Sequence, residues 1–352
     1  MLERTHISEF DSQNMLSSIE ILGKQIQDSW DKVKQLELPE SYNTIDRVVW
    51  MGMGGSALGI SAVKHLFLDS ISVPVEIVNG YTLPGCVNEN TLVVLSSYSG
   101  TTEEVLYAAQ AVSEKTNKIY VITTGADLGE LATQNEWPAY IFDPIHNPCG
   151  QPRMAVGYAI GSTLSLFARL GVIEVTDEEI MGSVAYAETL HARFGADADD
   201  SMAKQVATTV QEQIPLFMSS EHLVGITHVI NNQTNENGKH FAVRYPIPEL
   251  NHHLAEGVGH PTEAMKHMHV IMFESKLYHK RNQARYVATA EVLEKNNVTL
   301  DRIAIQGSNR LEQMLEVLVF GSYVSLYLAV LHGIDPSPIP FVDMFKERLK
   351  EL

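Results

Sequence analysis

At 352 residues, 45% of them apolar and 19% charged, the chain is long enough for two cores of about 150 residues each and too apolar to stay disordered. Its 25 basic residues against 43 acidic ones leave a net charge of -18, which opposes nonspecific attraction to nucleic acid or to an anionic membrane. Two cysteines, Cys86 and Cys149, cannot build a disulfide framework or a metal site and suit a reducing cytoplasm.

The first residues, Met-Leu-Glu-Arg-Thr-His, lead into no apolar run of the kind a signal peptide needs. Met15, Ile19, Leu22 and Ile26 recur at helical spacing, so residues 1–44 are expected to be a helical preface. From Arg47 the pattern changes to short apolar runs, each followed by an amphipathic stretch. The runs are Val48–Met51, Val75–Val78, Thr91–Leu95, Ile119–Ile122 and Tyr140–Phe142. Such alternation predicts a doubly wound parallel α/β domain over residues 45–172. Residues 173–213, acidic and rich in alanine, read as a helical connection. A second, weaker α/β pattern follows over residues 214–334, with strands at Pro215–Met218, Val270–Phe273 and Arg302–Ile305. Val317–Leu331 carries no charge but falls short of the roughly 20 residues a membrane span needs, and reads as a buried core helix. The prolines of Asp335–Pro340 predict an extended strap, leading to a last helix in residues 335–352.

Two loops stand out chemically. Gly52-Met-Gly-Gly-Ser-Ala-Leu-Gly59 follows the first strand and opens a helix, which gathers free backbone N–H groups and a positive dipole end at one point. Alone it also fits the dinucleotide fingerprint G-x-G-x-x-A, with Glu76 where a ribose-binding acid would stand, or a plain glycine turn. After the third strand comes Ser96-Ser-Tyr-Ser-Gly-Thr-Thr102, again opening a helix. A dinucleotide gives no reason for this second run of hydroxyls. A terminal phosphate, whose oxygens accept several hydrogen bonds, does.

Together, Gly54-Gly55-Ser56 and Ser97-Tyr98-Ser99-Gly100-Thr101-Thr102 resemble the sugar-isomerase (SIS) domain signature. The whole chain resembles the bifunctional phosphoglucose/phosphomannose isomerase family. The resemblance implies two SIS-type domains, a sugar-phosphate substrate and a phosphate held by Gly55, Ser56, Ser97, Ser99 and Thr102. Moving a proton between C1 and C2 of such a sugar through a cis-enediolate needs a carboxylate base, a ring-opening acid/base and a cation, and no cofactor or metal.

Arg153, in Gln151-Pro-Arg-Met154, is the only Lys or Arg between Lys118 and Arg169. It suits oxyanion stabilisation and matches the family's Pro-Arg element; the bland alternative is a surface cap. Glu236, between Asn235 and Asn237, aligns with the family's catalytic glutamate and is the candidate base. Of the adjacent His252 and His253, the family's Asn-His element selects His252 for ring opening, supplied across a subunit boundary, which implies a homodimer. Paired histidines beside Glu256 could suggest zinc, but neighbours in sequence point apart on regular structure. Lys346 matches the family's C-terminal lysine, with Lys350 competing.

Two positions depart from the family pattern: His253-Leu254 stands where Asn-Glu is frequent, and Ile339 where a threonine accompanies handling of both epimers. Three readings stay open. They are an isomerase joining glucose 6-phosphate, with or without mannose 6-phosphate, to fructose 6-phosphate; a sugar-phosphate-binding protein with little or no turnover; and an NAD-dependent enzyme. A glutamine-dependent aminosugar synthase would need a nucleophilic cysteine at its N-terminus, where this chain has Leu2.

Overall fold

The computed structural model describes residues 2–351. Five parallel strands form the first sheet: β1 (Arg47–Gly52), β2 (Val75–Val78), β3 (Thr91–Ser97), β4 (Ile119–Thr123) and β5 (Ala139–Ile141), in the order β2-β1-β3-β4-β5. Every residue of β3 and β4 is buried, as in a parallel sheet whose two faces are both covered by helices. The order reverses between β1 and β3. In open α/β sheets that crevice, at the carboxyl ends of the strands, is where ligands bind.

Four parallel strands form the second sheet: β6 (Ile214–Ser219), β7 (Val243–Pro246), β8 (Met268–Glu274) and β9 (Thr299–Ala304), ordered β7-β6-β8-β9. This repeats the first sheet without its last strand. The strand absent from the sequence reading is β7, whose Val-Arg-Tyr-Pro carries no apolar run; it is an edge strand that ends in proline, where a lost N–H donor costs least.

One large hydrophobic core joins the two sheets and the helices between them, and a smaller one, including Val49, Val93, Val105 and Val121, covers the other face of the first sheet. The centre of the large core is the helix Arg310–Leu331, buried almost continuously from Leu311 to Val330. By length and composition this helix could cross a membrane, yet its apolar surface lies inside the protein. The helices that follow β1 and β6, Gly55–Leu66 and Val224–Glu236, pack on each other where the sheets meet.

The N-terminal helix Leu22–Lys34 lies along helix Val156–Arg169. Its fully buried Gln25 donates to the carbonyls of His146 and Met154, both at 2.9 Å, and accepts from Gly157 N at 3.1 Å. The helical preface thus braces the turn that carries Arg153. In the connection, helix Asp177–Thr189 starts with a reciprocal cap between Thr176 and Glu179, and helix Met202–Val210 packs on the central helix.

Candidate active site

The helix Gly55–Leu66 begins at the tip of β1 without a side-chain cap; Ser56 N and Ala57 N donate to the carbonyls of Met53 and Gly54 at 3.1 and 3.0 Å, which leaves the Gly55 N–H as its first-turn donor with no backbone acceptor among the described residues. Beside it, β3 ends in the turn Ser97–Thr102, and the two loops touch: Tyr98 N donates to Ser56 Oγ at 2.9 Å. Ser97 is fully buried, its hydroxyl paired with that of Thr102 at 2.7 Å and accepting from Gly100 N at 3.1 Å. Thr102 stands at the N-cap position of helix Glu103–Val112, but its hydroxyl bonds Ser97 and no N–H of the helix. Ser99 and Thr101 face solvent, with their hydroxyls 3.1 Å apart. Ser97 therefore shapes the turn, while Ser56, Ser99 and the helix N-termini are the groups left to meet an anion. Glu76, the ribose-binding candidate of the dinucleotide reading, is exposed on β2 and accepts from Cys86 Sγ at 3.5 Å.

Gly100 holds the turn in place. Its φ is +72°, and a Cβ there would lie 2.0 Å from the Gly125 carbonyl oxygen, a rigid backbone atom. Gly100→Ala is expected to destabilise the fold by about 2–4 kcal/mol, from left-handed strain plus overpacking. Urea unfolding measures it; a loss below about 0.5 kcal/mol, the level of an ordinary surface substitution, would contradict this account of the turn.

The clasp is joined to the next group by close packing: a Cβ on Gly55 would lie 2.9 Å from the Pro152 carbonyl oxygen. Pro152–Met154 is a short 3-10 turn, and its Arg153 is 2% exposed, so the surface-cap alternative fails. Nε donates to Asn237 Oδ1, Nη1 to Gln151 Oε1 at 2.8 Å, and Nη2 to the carbonyls of Pro336 and Ser337 at 2.9 and 2.7 Å. Nε also lies 3.6 Å from Glu236 Oε2. Burial pulls the guanidinium below its ordinary pKa, opposed by the Glu236 carboxylate and Cys149.

Glu236 is the last residue of helix Val224–Glu236, its side chain 40% exposed. The turn around it is pinned from behind. Gln233 Nε2 donates to Arg153 O at 3.1 Å, Ser322 Oγ donates to Gln233 Oε1 at 2.9 Å, and Asn237 Nδ2 donates to Ser325 Oγ at 3.1 Å. Lys239, which the sequence reading passed over, donates from Nζ to the carbonyls of Glu236 and Pro336 at 2.5 and 2.8 Å. Burial, then the Arg153 charge, pushes its pKa down to about 8. The available signal was its place three residues beyond Glu236 in the same Asn-Glu-Asn-Gly-Lys string. The C-terminal strap is thus bonded to both cations of the site through its backbone, contacts that no side-chain pattern announces.

Two further candidates share no hydrogen bond or ion pair with these groups among the described residues. His252 closes the turn Glu249–His252, exposed and with no side-chain hydrogen bond among the described residues. Lys346 is exposed on helix Pro340–Lys350, none of whose residues is buried. Among the described residues no group of three His, Cys, Asp or Glu side chains is close enough to hold a metal ion.

The description "Bacterial phospho-glucose isomerase C-terminal SIS domain" matches residues 199–349. A bifunctional phosphoglucose/phosphomannose isomerase from Caldicellulosiruptor bescii is 34% identical over 345 residues, which is 96% of this chain and 99% of that protein. One of the same name from Aquifex aeolicus is 30% identical, over 86% of this chain and 90% of its own. Among solved structures, a hypothetical protein from Thermus thermophilus superposes with a TM-score of 0.75 at 16% identity, covering 99% of this chain and 93% of that one. The C-terminal domain of glucosamine-fructose-6-phosphate aminotransferase from Francisella tularensis gives 0.69 at 13%, covering 92% and 98%. The structural likenesses show the fold; the sequence identity, sustained end to end, shows that the chain belongs to the bifunctional phosphoglucose/phosphomannose isomerase family.

Proposed function

We propose that the chain interconverts glucose 6-phosphate, and its mannose epimer, with fructose 6-phosphate by proton transfer through a cis-enediolate. The observation that carries this reading is the contiguity of the hydroxyl-lined clasp, Arg153 and Glu236 across two sheets. In it, the phosphate accepts from Ser56, Ser99 and the N-termini of helices Gly55–Leu66 and Glu103–Val112, with Ser97, Thr102 and Gly55 shaping the clasp. Glu236 removes the proton from C2 of the open-chain aldose and returns it to C1, while the positive charge of Arg153 steadies the enediolate oxygens. With four of its five N–H groups already bonded within the protein, Arg153 acts by held position and charge more than as a free fork.

His252 opens the sugar ring from a second copy of the chain, and Lys346 lies beside the ring oxygen in the dimer. That neither is bonded to the clasp, Arg153 or Glu236 within one chain is what this assignment explains. The exposed Phe341, Met344 and Phe345 on helix Pro340–Lys350 give a second copy an apolar face to cover. The reducing cytoplasm suits the two free thiols. The same lack of contact favours the rival reading, a sugar-phosphate binder without turnover.

An assay coupled to glucose-6-phosphate dehydrogenase, run from fructose 6-phosphate, and its counterpart with mannose 6-phosphate, separates the two. Mixing inactive Glu236→Gln and His252→Ala chains then tests the shared site. A heterodimer regains one intact site, so subunit exchange is expected to restore about a quarter of wild-type activity. No recovery, with exchange demonstrated, would leave His252 working within its own chain or not at all.

A further inference from the structure

The two sheets repeat more than their strand order. β6 ends at Ser219 as β1 ends at Gly52, and two residues beyond each stands a left-handed backbone: Gly54 at φ +47° and Glu221 at φ +48°. β8 ends at Glu274 as β3 ends at Ser97, and five residues beyond each stands a helix N-cap, Thr102 and His279. β6 and β8 are neighbours, as β1 and β3 are. The second sheet therefore places a comparable pair of loops at its own strand tips: the loop after β8 has the length of that after β3, while the loop after β6 runs through the 3-10 turn Glu221–Leu223 before its helix starts at Val224.

Its side chains are different. Where the first domain has Ser56, Ser97, Ser99 and Thr102, the corresponding positions hold Leu223, Glu274, Lys276 and His279. A glutamate stands in the left-handed position that Gly54 occupies without strain, a conformation an L side chain rarely adopts. From there Glu221 Oε1 accepts from His279 N at 2.8 Å and from Asn282 Nδ2 at 2.6 Å. That carboxylate sits at the N-terminus of the helix Lys280–Lys295, bridging the two loops as an anion would. The next residue, His222, is buried, with Nε2 2.8 Å from Gln313 Oε1 and Nδ1 left without a partner. One unpartnered polar atom is thus buried directly behind the loop, beside the core residue Leu223.

We propose that the second domain holds a self-occupied counterpart of the clasp, in which the Glu221 carboxylate takes the place of a ligand anion. Each chain then has one working phosphate site, and the second opens only when that carboxylate is removed. The count of one rests on the phosphate reading of the first clasp; the role of Glu221 does not.

Calorimetric titration with inorganic phosphate tests both. Wild-type protein is expected to bind about one phosphate per chain, and Ser56→Ala/Thr102→Val none. Glu221→Gly relieves the backbone and vacates the cradle, and is expected to bind about one phosphate more than wild type, with isomerase activity unchanged. Glu221→Asn, short and tolerant of the left-handed region, should gain the same site if the glycine variant folds poorly. Glu221→Gln still fills the cradle through its amide oxygen and should gain none. Folded Gly and Asn variants that bind no more phosphate than wild type would overturn the proposal, as would phosphate retained by the clasp double variant with Glu221 in place. If wild type binds none while Glu221→Gly gains one, the first clasp has been misread and the role of Glu221 stands.

Discussion

Glu236→Gln is expected to lower kcat by about 10²–10⁴-fold while leaving KM within a few-fold of wild type, because an amide of the same shape binds as before but accepts no proton. Its carboxylate touches no buried donor closer than the 3.6 Å to Arg153 Nε and is 40% exposed, so stability should change by no more than about 0.5 kcal/mol. That separation makes the result interpretable. Steady-state kinetics beside a thermal melt provides the measurement; turnover within about ten-fold of wild type would move the base elsewhere.

Arg153→Met is expected to be damaging in both respects. It preserves bulk but removes the donors to Asn237 Oδ1 and to the carbonyls of Pro336 and Ser337, in a site where Asn237 and Ser337 are fully buried. Pro336 O keeps its bond from Lys239 Nζ, but Asn237 Oδ1 and Ser337 O are stranded at about 1–3 kcal/mol each, so a loss of about 4 kcal/mol in urea unfolding is expected after relaxation. Freed of its Arg153 anchor, the strap is left tied to the Glu236 turn through Lys239 alone. With the charge near the enediolate also gone, kcat/KM should fall by more than about 100-fold. Arg153→Lys keeps the charge without the planar fork and should recover part of the activity but little of the stability. Wild-type stability in Arg153→Met would mean that the strap is held by other contacts.

Most of the first domain was legible because its signals are local. Five apolar runs of strand length separated by helical stretches admit few solutions, and each run lies within a residue or two of an observed strand. Two hydroxyl-rich loops at the ends of the first and third strands came together because those strands pair in parallel, side by side, with Gly52 opposite Ser96. β7 was missed for the converse reason: its place is set by the neighbour it pairs with, Leu216 to Val243 and onward, and not by its own residues.

Adjacent residues were enough to establish the layered α/β class, the buried nature of the Val317–Leu331 helix, the clasp loops and the candidacy of Arg153 and Glu236, because periodicity and loop chemistry are local properties. Long-range packing was needed to establish that Arg153 is buried rather than a surface cap, that Lys239 and the strap bond beside Arg153 and Glu236, and that Glu221 bridges the loops at the tips of β6 and β8. Those facts depend on groups tens to hundreds of residues apart, as in the 183 residues between Arg153 and Pro336. No local pattern encodes such contacts; they exist once two sheets and a central helix have packed into one core.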